Sequence, residues 1–82
     1  MTEDFEREVD KVLSGELQTT TSITLVSPND VDKYLKNEGL EQGDFDSSGW
    51  DWDFWMTYGK GEDRFELTGS GWYNNGLTFS RV

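Results

Sequence analysis

The sequence predicts an α+β fold, with two helices packed on one face of a three- to four-stranded antiparallel sheet in the order α-β-α-β-β-β. Three observations carry that expectation. Apolar residues recur at helical spacing from Phe5 to Leu17, residues alternate strictly from Trp50 to Tyr58, and glycine-rich turns follow both Tyr58 and Tyr73. The 82 residues form a single domain spanning 1–82. A domain this small buries only a little over half of the surface its unfolded chain exposes. Its core must therefore come from a few large side chains, and aromatic residues supply 15% of a chain that is only 33% hydrophobic.

The first helix is expected over residues 2–14. Phe5, Val9, Val12, Leu13 and Leu17 share one face, Glu3, Asp4 and Glu6 sit where a helix N-terminus favours negative charge, and Gly15 supplies a stop. Residues 19–26 are rich in β-branched side chains and place Ile23 and Leu25 on a common side, as in a strand. Ser27 then reads as an N-cap with Pro28 at the first helical position. The second helix runs through Val31, Tyr34 and Leu35 to Gly39, with Leu40 placed for a hydrophobic contact just past its end.

Residues 41–49 read as an acidic loop. From Trp50 onward a two-residue period puts Trp50, Trp52, Phe54, Met56 and Tyr58 on one side, and Asp51, Asp53, Trp55 and Thr57 on the other. Gly59-Lys60-Gly61-Glu62 reads as a hairpin loop. The returning strand then sets Phe65, Leu67, Gly69 and Gly71 opposite Met56, Phe54, Trp52 and Trp50, so that large rings cover strand glycines. A three-residue loop of Asn74, Asn75 and a left-handed Gly76 would pair Tyr73 with Leu77 and Gly71 with Phe79. The result is a three-stranded meander, joined at one edge by the strand of residues 19–26.

Seventeen acidic against seven basic residues give a formal net charge of −10, which repels nucleic acid and anionic membranes and attracts basic protein surfaces. Four Trp and five Phe in periodic patterns argue against the disorder such a balance otherwise brings. Cysteine and histidine are both absent, which removes disulfides, thiolate chemistry, the commonest general base and the commonest metal ligand. No long apolar run makes a signal peptide or membrane span, so a cytoplasmic protein, or one in the host cytoplasm if phage-encoded, is the expectation. The paired Asp51 and Asp53 are placed for acid–base work only in the loosest sense, and a solvated acidic row is the commoner reading. The expectation is a protein that binds, with no catalytic residues and no cofactor.

The stretch Asp44-Phe45-Asp46-Ser47-Ser48-Gly49 matches the first half of a calcium-binding EF-hand loop, with Asp44, Asp46 and Ser48 as oxygen donors. Its twelfth position holds Trp55 where the loop requires a bidentate glutamate, so an ordinary polar loop is the preferred reading. Carboxylates gather on the first helix, at Glu3, Asp4, Glu6, Glu8 and Asp10, and again at Glu41, Asp44, Asp46, Asp51 and Asp53. Solvated faces explain either group alone.

Trp55 and Trp72 fall on the sheet face opposite the main aromatic stripe, beside Asp51, Asp53 and Glu66 by the alternation. An indole among carboxylates suits an Arg-rich partner, although stacking of the two rings or a homodimer would also cover them. Asp44, Asp46, Asp51, Asp53, Trp55, Glu66 and Trp72 are thus the candidate partner-binding residues. The expected function is a small inhibitor that mimics nucleic acid and fills the cationic groove of a nucleic-acid-processing enzyme, of the anti-CRISPR or anti-restriction type. The alternatives are an immunity protein or antitoxin against a basic toxin, and a calcium-binding module.

Overall fold

A computed structural model describes residues 2–22, 26–47, 53–70 and 76–82. The elements run α1 (Glu3–Ser14), β1 (Thr19–Thr21), α2 (Pro28–Asn37), β2 (Glu41–Ser47), β3 (Asp53–Lys60), β4 (Asp63–Ser70) and β5 (Leu77–Arg81). The strands form one antiparallel sheet in the order β1-β5-β4-β3-β2. The fold is α+β, and the sheet has five strands where three or four were expected.

α1 begins where Thr2 accepts a hydrogen bond on its Oγ1 from the Phe5 amide, and it ends at Gly15, whose φ of 89° lies in the left-handed region. Phe5, Val9 and Val12 are buried, and Leu13 and Leu17 pack at the margin of the core. α2 follows Ser27 as N-cap with Pro28 opening the helix, although the Ser27 side chain makes no capping bond. Past the end of α2, Gly39 adopts a φ of 90° and the Leu40 amide donates back to the Leu35 carbonyl, which brings Leu40 into the core.

The register gives both hairpins different geometry from the expectation. Lys60 pairs with Asp63, so the β3–β4 loop shortens to a two-residue turn of Gly61 and Glu62, with Gly61 at a φ of 62°. Tyr58 therefore faces Phe65, Met56 faces Leu67, and Phe54 faces Gly69. The expected pairing was displaced by two residues, an even number that keeps every side chain on its face. An aromatic does cover a strand glycine, but the pair is Phe54 over Gly69: a Cβ added there would lie 2.6 Å from Phe54 Cε1 and 2.5 Å from Leu77 Cδ2.

β5 pairs Leu77 with Gly69 and Phe79 with Leu67, four residues away from the Gly71–Phe79 pairing expected, which lengthens the connection beyond three residues. Gly76 has a positive φ of 156°, a backbone that favours glycine, although far from the left-handed helical value. Proximity requires glycine as well, since an added Cβ would stand 1.9 Å from the Ser22 carbonyl oxygen. Ser22 is buried and ties β1 to β5: its amide donates to the Leu77 carbonyl, and its Oγ accepts from the Leu77 amide, each at 2.9 Å.

One core cluster joins Phe5, Val9 and Val12 of α1, Val31 and Leu35 of α2, and Met56, Tyr58, Phe65, Leu67, Leu77 and Phe79 of the sheet. All the sheet residues in it lie on one face by register. Phe65 and Phe79 stack with centroids 5.4 Å apart, and the Arg81 guanidinium lies 4.9 Å from the Phe65 centroid. Among the described residues, no helix is long and apolar enough to cross a membrane.

Candidate partner-binding surface

Because both helices cover the same face of the sheet, the other face is left open among the described residues. Two cross-strand rows run across it. One connects Thr21, Thr78, Thr68, Trp55 and Asp46 from β1 to β2, and the other connects Thr19, Ser80, Glu66 and Thr57. Hydroxyl pairs finish the β1 side, with Thr21 Oγ1 2.9 Å from Thr78 Oγ1 and Thr19 Oγ1 2.7 Å from Ser80 Oγ.

The first correction falls on residues 41–47, which are the edge strand β2 and not a loop. Gln42 pairs with Tyr58 and Phe45 with Met56, so Gly43 and Asp44 together oppose Thr57 in a bulge. The Asp44 amide donates to Thr57 Oγ1 at 2.7 Å, and a Cβ on Gly43 would lie 2.5 Å from that same oxygen. The threonine hydroxyl holds the bulge, and glycine makes room for it.

In this strand Asp44 and Asp46 are exposed on an extended backbone, while residues 48–52 of the calcium-loop match lie outside the described residues. Among the described residues, no three acidic side chains are placed to hold a metal.

Asp46 stands directly across from Trp55, and Glu66, cross-strand partner of Thr57, is the diagonal neighbour of Trp55. Trp55 and Glu66 are half-buried, as expected for side chains lying on an uncovered sheet. Asp53 opens β3, where its backbone pairs with Ser70. Asp51, Trp72 and Ser48 lie outside the described residues, as do Trp50, Trp52, Ile23, Leu25, Gly49, Gly71, Tyr73, Asn74 and Asn75. Of the seven partner-binding candidates, the structure brings Asp46, Trp55 and Glu66 into one patch, with Asp44 at its β2 margin.

No protein-family model matches the chain, and neither a curated protein nor a solved structure matches it. Function must be read from the surface itself.

The cations explain the sign of that surface. Arg7, Lys11, Lys33 and Lys36 belong to the helices, where Arg7 approaches Asp4 and Lys36 pairs with Asp32 at 2.8 Å. Lys60 donates to the Glu38 carbonyl, and Arg81 reaches across the core side to Asp63 and to the carbonyls of Val12 and Leu13. Arg64 alone sits on the open face, at the hairpin end, where its Nη1 donates to the Gly61 and Asp63 carbonyls and lies over Gly59. The rows that carry Asp46, Trp55 and Glu66 contain no cation.

One exposed residue at the edge of the sheet, outside the open face, escaped the sequence reading. Phe45 is 58% exposed although its register partner Met56 is buried, so the edge strand shows a bare phenyl ring between Asp44 and Asp46. The signal was present in the Asp-Phe-Asp triplet, but an assumed loop gave Phe45 no face to occupy.

Proposed function

We propose that this protein is a small acidic inhibitor that occupies the cationic nucleic-acid groove of a nucleic-acid-processing enzyme, in the manner of phage proteins that block restriction or CRISPR systems. The observation that carries this reading is Trp55, which lies across from Asp46 and diagonal to Glu66 on a sheet face whose central rows hold no cation. Carboxylates on a rigid sheet meet a Lys- or Arg-lined groove without the ordering cost of a flexible tail, and an adjacent indole adds cation–π contact and expels water from the ion pairs. The net charge of −10 steers the same encounter from a distance.

Capture from lysate of the native host on immobilised protein, followed by competition, tests the reading. A retained nucleic-acid-binding enzyme that duplex DNA or RNA displaces in proportion to its concentration is the expected result. Retention of a basic toxin that stays bound in excess nucleic acid would replace mimicry with an immunity-protein role.

A further inference from the structure

β2 ends the sheet, so one side of its backbone pairs with β3 and the other faces outward among the described residues. An unpaired strand edge is a template for another strand, and proteins normally blunt it with charge or a bulge. Both devices are present here, in Glu41, Asp44 and Asp46 and in the Gly43–Asp44 bulge. They act selectively. A second copy of β2 laid along this edge would bring like charges together, whereas a basic strand would neutralise them. The bulge divides β2 into two regularly paired stretches, Glu41–Gln42 and Phe45–Ser47, and the exposed ring stands in the second.

The two sides of this edge differ in chemistry. By register Phe45 belongs to the helix-covered side of the sheet and Asp46 to the open side beside Trp55. We infer that the outer edge of β2 accepts an extended segment of a partner protein as a sixth strand, one that alternates apolar residues over Phe45 with Lys or Arg beside Asp46. Main-chain hydrogen bonds supply attachment and the two faces supply selectivity. This docking mode does not require nucleic-acid mimicry, and it uses an edge that the open-face reading leaves idle.

The probe is a labelled heptapeptide of alternating Lys and Val, compared with a Glu–Val twin and with two N-methylated twins, one methylated at every Val and the other at every Lys. Only one edge of the added strand faces β2, so one methylated twin retains binding and the other loses it at least tenfold. The Glu–Val twin does not bind. Phe45→Ser weakens the Lys–Val peptide at least fivefold with unchanged thermal stability, while Trp55→Ala changes it less than twofold. Backbone amide shifts of the labelled protein move at residues 42–47. Equal affinity for the two methylated twins, an unaffected Phe45→Ser variant, or absence of Lys–Val binding overturns strand addition. Each of these outcomes leaves the open-face proposal standing, since that is read on Asp46, Trp55 and Glu66 with the captured enzyme.

Discussion

The Tyr58 hydroxyl donates a 2.5 Å hydrogen bond to Oδ1 of Asp32, while Lys36 holds the other carboxylate oxygen at 2.8 Å. Tyr58 is buried beneath α2, so this bond fixes the second helix to β3 and, through it, fixes the sheet whose other side is the proposed binding face. Removing the hydroxyl with Tyr58→Phe leaves the ring in place and is expected to cost about 1–3 kcal/mol, the range for hydrogen bonds to charged groups. Chemical denaturation at pH 7 measures it.

The same contact gives stability a pH dependence with a definite sign. Burial alone would raise the Asp32 carboxyl, but hydrogen bonds from Lys36 and Tyr58 outweigh it and hold the group below its ordinary value. Its contribution is complete above the unfolded carboxyl value near ~3.9 and is lost as pH falls through the lower folded value. At the alkaline end, burial first, and then the carboxylates of Asp32 and Asp10, push the Tyr58 and Tyr34 hydroxyls above the ordinary phenol range. Their contribution is complete below ~10 and is lost as pH rises beyond it. The stability difference between the parent and Tyr58→Phe is therefore flat from about pH 5 to 9 and narrows as pH falls through the lowered Asp32 value.

Arg81, on β5, ties together α1, β4 and β5. Its guanidinium donates to Asp63 at 2.9 Å and to the Val12 and Leu13 carbonyls at the end of α1, and it stacks over Phe65. A lysine cannot reproduce a planar fork with several donors. Arg81→Lys is expected to lose about 2 kcal/mol, nearly as much as Arg81→Met, by thermal or denaturant unfolding.

Gly69→Ala and Gly61→Ala separate close approach from backbone strain, and Gly76→Ala combines the two. Gly76→Ala would drive a methyl group into the Ser22 carbonyl and is expected to cost about 3 kcal/mol or more by loosening β1 from β5. Gly61→Ala meets open space and bears only its left-handed backbone, about 1–2 kcal/mol. Gly69→Ala overpacks Phe54 and Leu77 by about 1–3 kcal/mol, a cost that shrinks in a Phe54→Leu background. Unfolding of the three glycine variants, of Phe54→Leu and of the Gly69→Ala/Phe54→Leu double variant, compared with the parent, checks all three.

Why some elements were legible and others were not follows from what holds each in place. α1 and α2 carry their own signals, in the Thr2 cap, Pro28, Gly15 and the spacing of Phe5, Val9 and Val12. β3 and β4 show uninterrupted alternation, which assigned Trp55, Thr57 and Glu66 to the open face before any register was known. β2 has no such signal. Its residues Glu41-Gln-Gly-Asp-Phe-Asp-Ser lack β-branched side chains, and the bulge at Gly43 and Asp44 breaks the alternation that would have announced a strand. It is a strand because β3 offers a free edge and Thr57 takes up the surplus amide, both of them tertiary facts. The β3–β4 register slipped for a related reason: Gly59 and Gly61 offer two turns, and parity of face cannot choose between them.

Trp55 links the fold to the proposed function and separates the two in experiment. It is half-buried on a face that no described element covers, so Trp55→Ala should alter stability by about 1 kcal/mol or less, while weakening the captured complex by about 2 kcal/mol, roughly thirtyfold. Paired unfolding and calorimetric binding measurements on one preparation read both.

The most direct measurement is affinity for the captured enzyme after single charge reversals, read across a salt series. Asp46→Lys and Glu66→Lys are expected to weaken binding at least tenfold and to flatten its dependence on ionic strength, while Glu38→Lys and Glu62→Lys, away from the open rows, change it less than twofold. Equal losses at all four positions would contradict the account, because attraction would then follow total charge and owe nothing to the face that bears Trp55.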